Sequence, residues 1–467
     1  MKKNFKDILM VTISNFTTIL AGVVTGFIIP KILNIEDYGL YKTFTLYSSY
    51  IGLLSLGIVD GIVLKYGNKD LEELELEKMR SIFSIYFSIN IIFTLMIFFV
   101  CLTTLKNNKV IFLFIALNII CTNITGYFQQ ISQITRNFKE YSFRNILKSF
   151  LNILIVLILY VMFKFNCTIN YKMYVLMLLI SNYFLTIWYM FTYKELIFGK
   201  HNTINSIKND MKLLIKNGFP LLIANLCSTL LLTLDRQFVN VLFENEIYAI
   251  YAFAYNLLSL VTVAVSAIST VLFPSLKRAE KSKIMNEYKN YVSLIALLIF
   301  LCISIYFPLS IFIRWYLPNY ILSLGIFKTI FPGLVISSAI SIIIQNYYKV
   351  LNISSEFFKK SVFALIISFA LNVVFYKIFK TPLSISVASI FSMIIWYISC
   401  DSTLSKIIYV NNINNLIYML IGIVIFYLCS NLNNWLLGFG LYILLIAILS
   451  FVFTKTAIKN FINKLKY

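Results

Sequence analysis

The chain has 467 residues, of which 60% are hydrophobic and only 13% are charged, whereas soluble domains carry about a quarter charged residues. A chain this apolar is not solvated as a globule, so we predict an integral membrane protein. The net charge of +21 would suggest nucleic acid in a soluble protein, but in a membrane protein it reports orientation, and we predict no nucleic-acid partner. The single histidine, His201, and the widely separated cysteines exclude histidine triads and predict no catalytic residues, no metal and no cofactor.

Windows of about 20 mostly apolar residues predict membrane-spanning helices. The first window follows Lys2, Lys3 and Lys6 but no Ala-x-Ala site follows it, so we expect it to be retained rather than cleaved. The fourteen predicted spans are 8–30, 41–64, 82–105, 110–131, 146–163, 171–193, 219–243, 248–276, 291–313, 326–348, 361–379, 383–400, 413–430 and 435–453.

Basic residues are distributed unevenly between the two ends of these spans. With the N-terminus inside, and with basic residues near a span end counted in the adjoining segment, 29 of the 40 basic residues fall in inner segments and ten in outer ones. Arg236 alone lies away from the ends of a predicted span. This asymmetry and the even number of spans predict that both termini lie in the cytoplasm.

The longest inner connection predicts a division of the chain. We expect an N-terminal lobe over 1–200, a cytoplasmic linker over 201–217, a C-terminal lobe over 218–405, and two extra spans with a basic tail over 406–467. A second inner loop, 65–80, carries an acidic run that predicts an amphipathic helix at the membrane surface. Short outer loops and the lack of a nucleotide-binding motif disfavour an enzyme and a pump driven by its own ATP hydrolysis.

Short matches suggest that the two lobes are copies. They occur in order at equivalent ends of equivalent spans, and include Glu36, Tyr38 and Tyr41 with Glu246, Tyr248 and Tyr251, and 187–189 with 395–397. Six spans per copy is an even number, so the copies would be related by a pseudo-two-fold axis along the membrane normal. We therefore predict an all-α integral membrane protein of about 14 transmembrane helices, in which two six-helix lobes precede two C-terminal helices.

Several motifs resemble one transporter family. They are Gly218-Phe219-Pro220, Asp235-Arg236-Gln237-Phe238-Val239, the run from Tyr248 to Ala254 and Leu272-Phe273-Pro274-Ser275-Leu276, with Ile29-Pro30-Lys31-Ile32-Leu33 and Tyr38-Gly39-Leu40-Tyr41 in the first half. Together with the length and span count, they resemble Wzx-type polysaccharide flippases of the multidrug/oligosaccharidyl-lipid/polysaccharide (MOP) superfamily.

The resemblance implies transport of an undecaprenyl-pyrophosphate-linked capsule or O-antigen repeat unit from the inner to the outer leaflet by alternating access. It also implies contact with membrane lipids and with a polysaccharide polymerase and ligase. A cation-coupled multidrug exporter of the same superfamily is the nearest alternative, although predicted spans 1 and 3 to 6 contain no Asp or Glu. A membrane glycan polymerase or ligase is a further alternative, which the short outer loops disfavour.

Asp235 and Arg236 are the most informative site candidates, because ionisable side chains within a span are costly and usually face the bundle interior. Arg236 could bind a phosphate oxygen, and Asp235 could bind a cationic group or couple transport to an ion. A structural salt bridge is the alternative reading for both.

Two polar stripes supply further candidates for a substrate cavity. One holds Asn123, Gln130, Gln133 and Asn137, followed by Arg136, and the other holds Ser338, Ser341, Gln345 and Lys349. Amides and hydroxyls on one helical face suit sugar hydroxyls, and they equally suit hydrogen bonds between helices.

Three charged residues near span ends complete the candidates. Lys31 and Lys42 flank the first outer turn, where they could contact phosphate or anchor the helices in the interface. Asp60 is an ion-coupling candidate, but its proximity to Lys65 in sequence favours an interfacial role.

Overall fold

The regular structure of this chain is helical throughout the residues described. The computed structural model describes the backbone of 2–465 apart from 68, 105–108, 203, 279–280 and 352, and the same side chains apart from 2–9, 104, 204–206, 260, 263–284, 286, 456 and 460–465. Within these ranges the chain forms two compact units, Met1–Thr229 and Leu230–Tyr467.

The first unit contains seven helices and most of an eighth. They are α1 Lys2–Ile32, α2 Ile35–Ser48, α3 Ile58–Tyr66, α4 Leu76–Thr104, α5 Lys109–Ile134, α6 Phe138–Lys164, α7 Tyr171–Thr192 and α8 Ile204–Leu242. Helix α6 packs along α1, and α5 packs against both α4 and α7. Buried aromatic and aliphatic side chains of α3, α4, α5 and α7 form the core beside these contacts.

The second unit begins within α8 and contains ten further helices. They are α9 Asn245–Arg278, α10 Lys281–Ile303, α11 Tyr306–Tyr316, α12 Ser323–Ile330, α13 Leu334–Ser338, α14 Gln345–Val350, α15 Ser354–Phe379, α16 Pro382–Ile408, α17 Ile413–Ser430 and α18 Trp435–Leu465. A π-helical stretch, Ala339–Ile344, joins α13 to α14.

The predicted all-α membrane fold is confirmed. Among the described residues, twelve helical segments are long and apolar enough to cross a membrane, and the bent pair Ile35–Ser55 and Ile58–Tyr66 is a further candidate. The predicted span 248–276 corresponds to α9, in which the side chains of the motif 272–276 lie outside the described residues.

Three local predictions differ from the structure. Predicted span 2 is broken, with a bend of 59° before α3, because Leu56 and Gly57 both adopt left-handed backbone conformations. Between α3 and α4, the described residues of the predicted surface helix form only a short 3-10 turn, Leu71–Glu73, which is closed by a capping box between Asp70 and Glu73. The segment predicted as a linker, 201–217, is helical from Ile204 onward.

A close backbone contact joins α3 to α8 within the first unit. A Cβ atom on Gly218 would lie 1.9 Å from the Gly57 carbonyl oxygen, and one on Gly61 would lie 2.3 Å from the Leu214 carbonyl oxygen. Only glycine permits this approach, as in the small-residue contacts of other membrane helices. We call Gly57, Gly61 and Gly218 the glycine contact; it fixes the position of α8 beside the broken span.

Candidate functional site

A polar cavity of about 320 Å³ lies within the first unit. The bend between α2 and α3 lines it together with α4, α5 and α8, and its polar side chains include Asp60, Asn123, Gln129, Gln130 and Asn225. We call the cavity lined by these five residues the amide cavity. Amides that surround an opening in a membrane helix bundle can donate to and accept from sugar hydroxyls.

One wall of the amide cavity is held by a buried network. Asn123 Nδ2 donates to Asn90 Oδ1 (2.6 Å), and Asn90 Nδ2 donates to the Tyr86 carbonyl oxygen (2.8 Å). The Tyr86 hydroxyl donates in turn to the Asn123 carbonyl oxygen (3.3 Å). Gln130 makes no hydrogen bond to a described residue, so its amide remains available to a ligand. The network orients the wall and Gln130 supplies free polar groups.

Asp60 lines this cavity, although its closeness to Lys65 in the sequence favours a role at the membrane interface. Lys65 forms its ion pair with Asp210 (2.7 Å), and Lys78 contacts the other oxygen of that carboxylate at 2.7 Å. The reason is the break before α3: it turns the start of α3 toward the cavity and its end, with Lys65, toward α8.

The remaining residues of the first polar stripe do not join the cavity lining described. Gln133 is half-buried near the end of α5, and Arg136 is exposed in the turn that follows, with φ of 55°. Asn137 caps α6 by accepting from the Glu140 amide (3.3 Å), and it donates to the Tyr193 hydroxyl (3.3 Å). Asn123 and Gln130 of the first polar stripe therefore line the cavity, whereas Gln133, Arg136 and Asn137 lie around the end of α5 and the start of α6.

Asp235 is buried in the second unit and accepts hydrogen bonds from neutral donors. Its Oδ2 accepts from the hydroxyls of Tyr251 (2.8 Å) and Tyr255, and its Oδ1 accepts from the Arg236 backbone amide (2.8 Å). The Tyr251 hydroxyl also accepts from Ser386 Oγ at 3.3 Å. Two tyrosines and a backbone amide thus hold the carboxylate without a salt bridge from a described basic side chain.

The Arg236 side chain turns away from Asp235. Its Nη2 donates to the Leu232 carbonyl oxygen (2.7 Å), and the guanidinium lies over the Tyr255 ring at 4.6 Å. Its Nε is buried and makes no hydrogen bond among the described residues. Arg236 therefore lies near Asp235 without a salt bridge to it, and Asp235 accepts its hydrogen bonds from other donors.

The second polar stripe is interrupted by the π-helical stretch. Ser338 is buried, Ser341 and Lys349 are exposed, and Gln345 is half-buried. A π-helix turns less per residue than an α-helix, so spacing across it does not keep Ser338 and Lys349 on one face.

Lys31 and Lys42 lie where the sequence positions them, around the first turn. Lys31 is exposed in the last turn of α1. Lys42 is half-buried in α2, and its Nζ lies 5.2 Å from the Tyr38 ring centroid and 5.3 Å from that of Tyr41. The contact with two aromatic rings is typical of an interfacial cation.

Sequence reasoning missed two basic residues of α6. Lys148 stands near the start of predicted span 5, 146–163, and its charge was counted with the adjoining inner segment. In the structure it lies well inside α6, so Arg236 is not the only basic residue far from the ends of an apolar helix. Lys148 and Arg144 line a second cavity, of about 40 Å³, which adjoins the amide cavity at Gln129. Arg144 and Lys148 are four residues apart in the sequence, and this spacing places both side chains on one face of a helix.

Solved structures show the same fold at low sequence identity. A structure of the lipid II flippase MurJ in an inward closed conformation matches with a TM-score of 0.69 and 15% identity, over 97% of this chain and all of that one. An inward-facing multidrug resistance MATE family transporter of the MOP superfamily matches with a TM-score of 0.61 and 10% identity, over 84% and 95% of the two chains. A MOP superfamily transporter from Pyrococcus furiosus gives 0.54 and 13%, over 86% and 96%. No curated protein gives a significant sequence match.

A family model for polysaccharide biosynthesis proteins matches residues 5–280. The matched segment contains all but the first four residues of the first unit and extends through the motif around Asp235. More than half of the chain is therefore covered, and the amide cavity lies inside the matched segment. The chain belongs to the polysaccharide biosynthesis protein family and has the fold of the MOP superfamily transporters.

Proposed function

We propose that this protein translocates an undecaprenyl-pyrophosphate-linked oligosaccharide, a repeat unit of a surface polysaccharide, from the inner to the outer leaflet of the cytoplasmic membrane. The amide cavity is the observation that carries the proposal: it is a polar opening within a helical unit whose outer surface is apolar. Amide and hydroxyl groups replace the water around a glycan while the lipid tail stays in hydrocarbon. The family match supports a polysaccharide precursor as cargo.

We further propose that both termini lie in the cytoplasm and that the cavity opens alternately to the two sides. The excess of basic residues in the inner segments supports this orientation. In a cell it would act between the enzymes that build the lipid-linked unit and the polymerase and ligase that consume it.

Deletion of the gene tests the proposed function. We expect the lipid-linked repeat unit to accumulate on the inner leaflet and the surface glycan to be lost, and mass spectrometry of extracted lipid intermediates measures both the amount and the glycan identity. Unchanged intermediates and surface glycan would contradict the proposal. Raised drug susceptibility in the same strain would instead favour a multidrug exporter.

Arg236→Ala should lower export at least tenfold without lowering the amount of protein in the membrane. The guanidinium has a free buried Nε and forms no salt bridge with a described side chain, and Asp235 keeps its tyrosine and backbone donors when the guanidinium is removed. Export is measured as surface glycan in the deletion strain carrying the variant. If export stays at the wild-type level, Arg236 has only a packing role.

Asp235→Asn should preserve folding but abolish the ion dependence of transport. Asparagine keeps a carbonyl oxygen for the two tyrosine hydroxyls, whereas Asp235→Leu leaves both hydroxyls unpaired, at about 1–3 kcal/mol for each. We therefore expect only the leucine variant to lose thermal stability. Transport into proteoliposomes under imposed proton or sodium gradients measures the coupling; an asparagine variant with wild-type gradient dependence would exclude Asp235 as the coupling group.

A further inference from the structure

Lys148 is a charged side chain well inside a helix that is long and apolar enough to cross a membrane, and the proposed function does not yet use it. It lies within α6, about 15 Å along the helix axis from Phe138 at 1.5 Å per residue. Among the described residues it makes no hydrogen bond or ion pair. A charge at such depth is costly unless it faces a polar cavity, so its surroundings decide its role.

The exposure of Lys148 is not exposure to lipid. Ile146 and Phe150, two residues before and after it, belong to the exposed apolar face of α6. Two positions along an α-helix correspond to about 200°, so Lys148 lies on the side opposite to that face. There it lines the 40 Å³ cavity together with Gln129, Arg144 and Asn145. We call these four residues the Lys148 pocket.

Arg144 in this pocket is rigid and has one donor unused. Its Nε donates to Glu140, its Nη2 donates to Thr192 Oγ1 (2.6 Å), and its guanidinium lies 4.8 Å from the Trp188 ring and 5.0 Å from the Tyr189 ring. The residue is 3% exposed, and its Nη1 makes no hydrogen bond among the described residues. A buried N–H without a partner is unfavourable, and an acceptor in the pocket would satisfy it.

The two amides of the pocket leave further donors free. Gln129 Nε2 donates to Asn145 Oδ1 (3.4 Å), so the Asn145 amide nitrogen still has its own hydrogens to donate. The pocket therefore offers donors from Lys148, Arg144 and Asn145, and no carboxylate lines it. Because Arg144 is paired with Glu140, Lys148 supplies the unpaired positive charge of the pocket. This charge and the free donors together select an anionic oxygen ligand.

We propose that the Lys148 pocket binds a phosphate group of the lipid carrier's pyrophosphate; this inference rests on the proposed function. The cavity has room for about one phosphate oxygen and not for a sugar ring, since one water occupies about 30 Å³ of liquid. Gln129 also lines the amide cavity, so a phosphate here lies next to the space where the first sugars bind. Lys148 supplies the charge, and Arg144 and Asn145 orient the oxygens.

The test compares lipid binding by the purified full-length protein in nanodiscs. Undecaprenyl pyrophosphate is the anionic probe and undecaprenol is the neutral one. We expect Lys148→Gln to weaken binding of undecaprenyl pyrophosphate about tenfold, the effect of one charge-assisted hydrogen bond, and to leave undecaprenol binding unchanged. Lys148→Arg, which keeps the charge, should restore most of the affinity.

Lys164→Gln is the matched control, because Lys164 is a lysine at the other end of the same helix and lies outside the pocket. It should bind both lipids as the wild type does. Equal affinity of wild type and Lys148→Gln for undecaprenyl pyrophosphate would overturn the proposed role of the Lys148 pocket. An equal loss of affinity for both lipids in the Lys148→Gln variant would overturn it too. A separate transport assay distinguishes the two proposals: a wild type that binds the anionic lipid through Lys148 but does not translocate lipid-linked glycan overturns the proposed function alone.

Discussion

Gly126→Leu should reduce transport at least tenfold while leaving the stability of the protein unchanged. Gly126 lines the amide cavity, and a Cβ atom added there would meet no other atom within 4 Å. A leucine side chain therefore extends into open space instead of displacing a neighbour, and leucine is a good helix former within α5. It fills part of the cavity with apolar atoms, which exclude the glycan.

Gly22→Leu is the matched control for this experiment. Gly22 is an exposed glycine of α1 with no atom within 4 Å of an added Cβ, and it is not among the residues that line the amide cavity. Both variants should reach the membrane in wild-type amounts and unfold at similar temperatures. If both transport normally in proteoliposomes, the amide cavity is not on the path of the substrate.

Gly218→Ala should destabilise the first unit and abolish transport. The added methyl group would lie 1.9 Å from the Gly57 carbonyl oxygen and 2.4 Å from the Gly61 nitrogen, and these two atoms form a backbone hydrogen bond of 2.8 Å. Backbone cannot rotate away as a side chain does, so α3 and α8 must separate. Overpacking of this kind costs about 1–3 kcal/mol.

The displacement matters for function because α3 and α8 both line the amide cavity. We expect a lower midpoint of thermal unfolding in detergent and transport below a tenth of the wild-type rate. Gly22→Ala makes the same chemical change where space is open, and it should be neutral or slightly stabilising. A Gly218→Ala protein with wild-type stability and transport would show that the helices tolerate a wider separation.

Hydropathy predicted the helical membrane fold because the length of an apolar run is a local property of the sequence. Each spanning helix satisfies its own backbone hydrogen bonds and needs only a sufficiently long apolar run. The span 110–131 corresponds closely to Lys109–Ile134, and 171–193 to Tyr171–Thr192. The break in predicted span 2 could not be predicted from hydropathy, because the apolar run of this span continues through the left-handed residues Leu56 and Gly57.

The candidate site was predicted only in part. Gln130 and Asp60 both line the amide cavity, and Lys65 forms its ion pair with Asp210 rather than with Asp60. Lys148 was counted as an orientation signal because it stands close to the predicted start of span 5, at 146. In the structure α6 begins earlier, at Phe138, so Lys148 lies well inside the helix rather than near its end.

Sequence alone determined that this chain is a helical membrane protein of a polysaccharide-related transporter family, since composition, apolar runs and short motifs are properties of the chain itself. Tertiary structure alone decided which polar side chains share a cavity. The direction of the Asp60 side chain depends on the backbone break before α3. The direction of the Lys148 side chain depends on which face of α6 it occupies. The position of α8 depends on the glycine contact. Each of these depends on how helices pack against one another, which the hydrophobic pattern of a single helix does not encode.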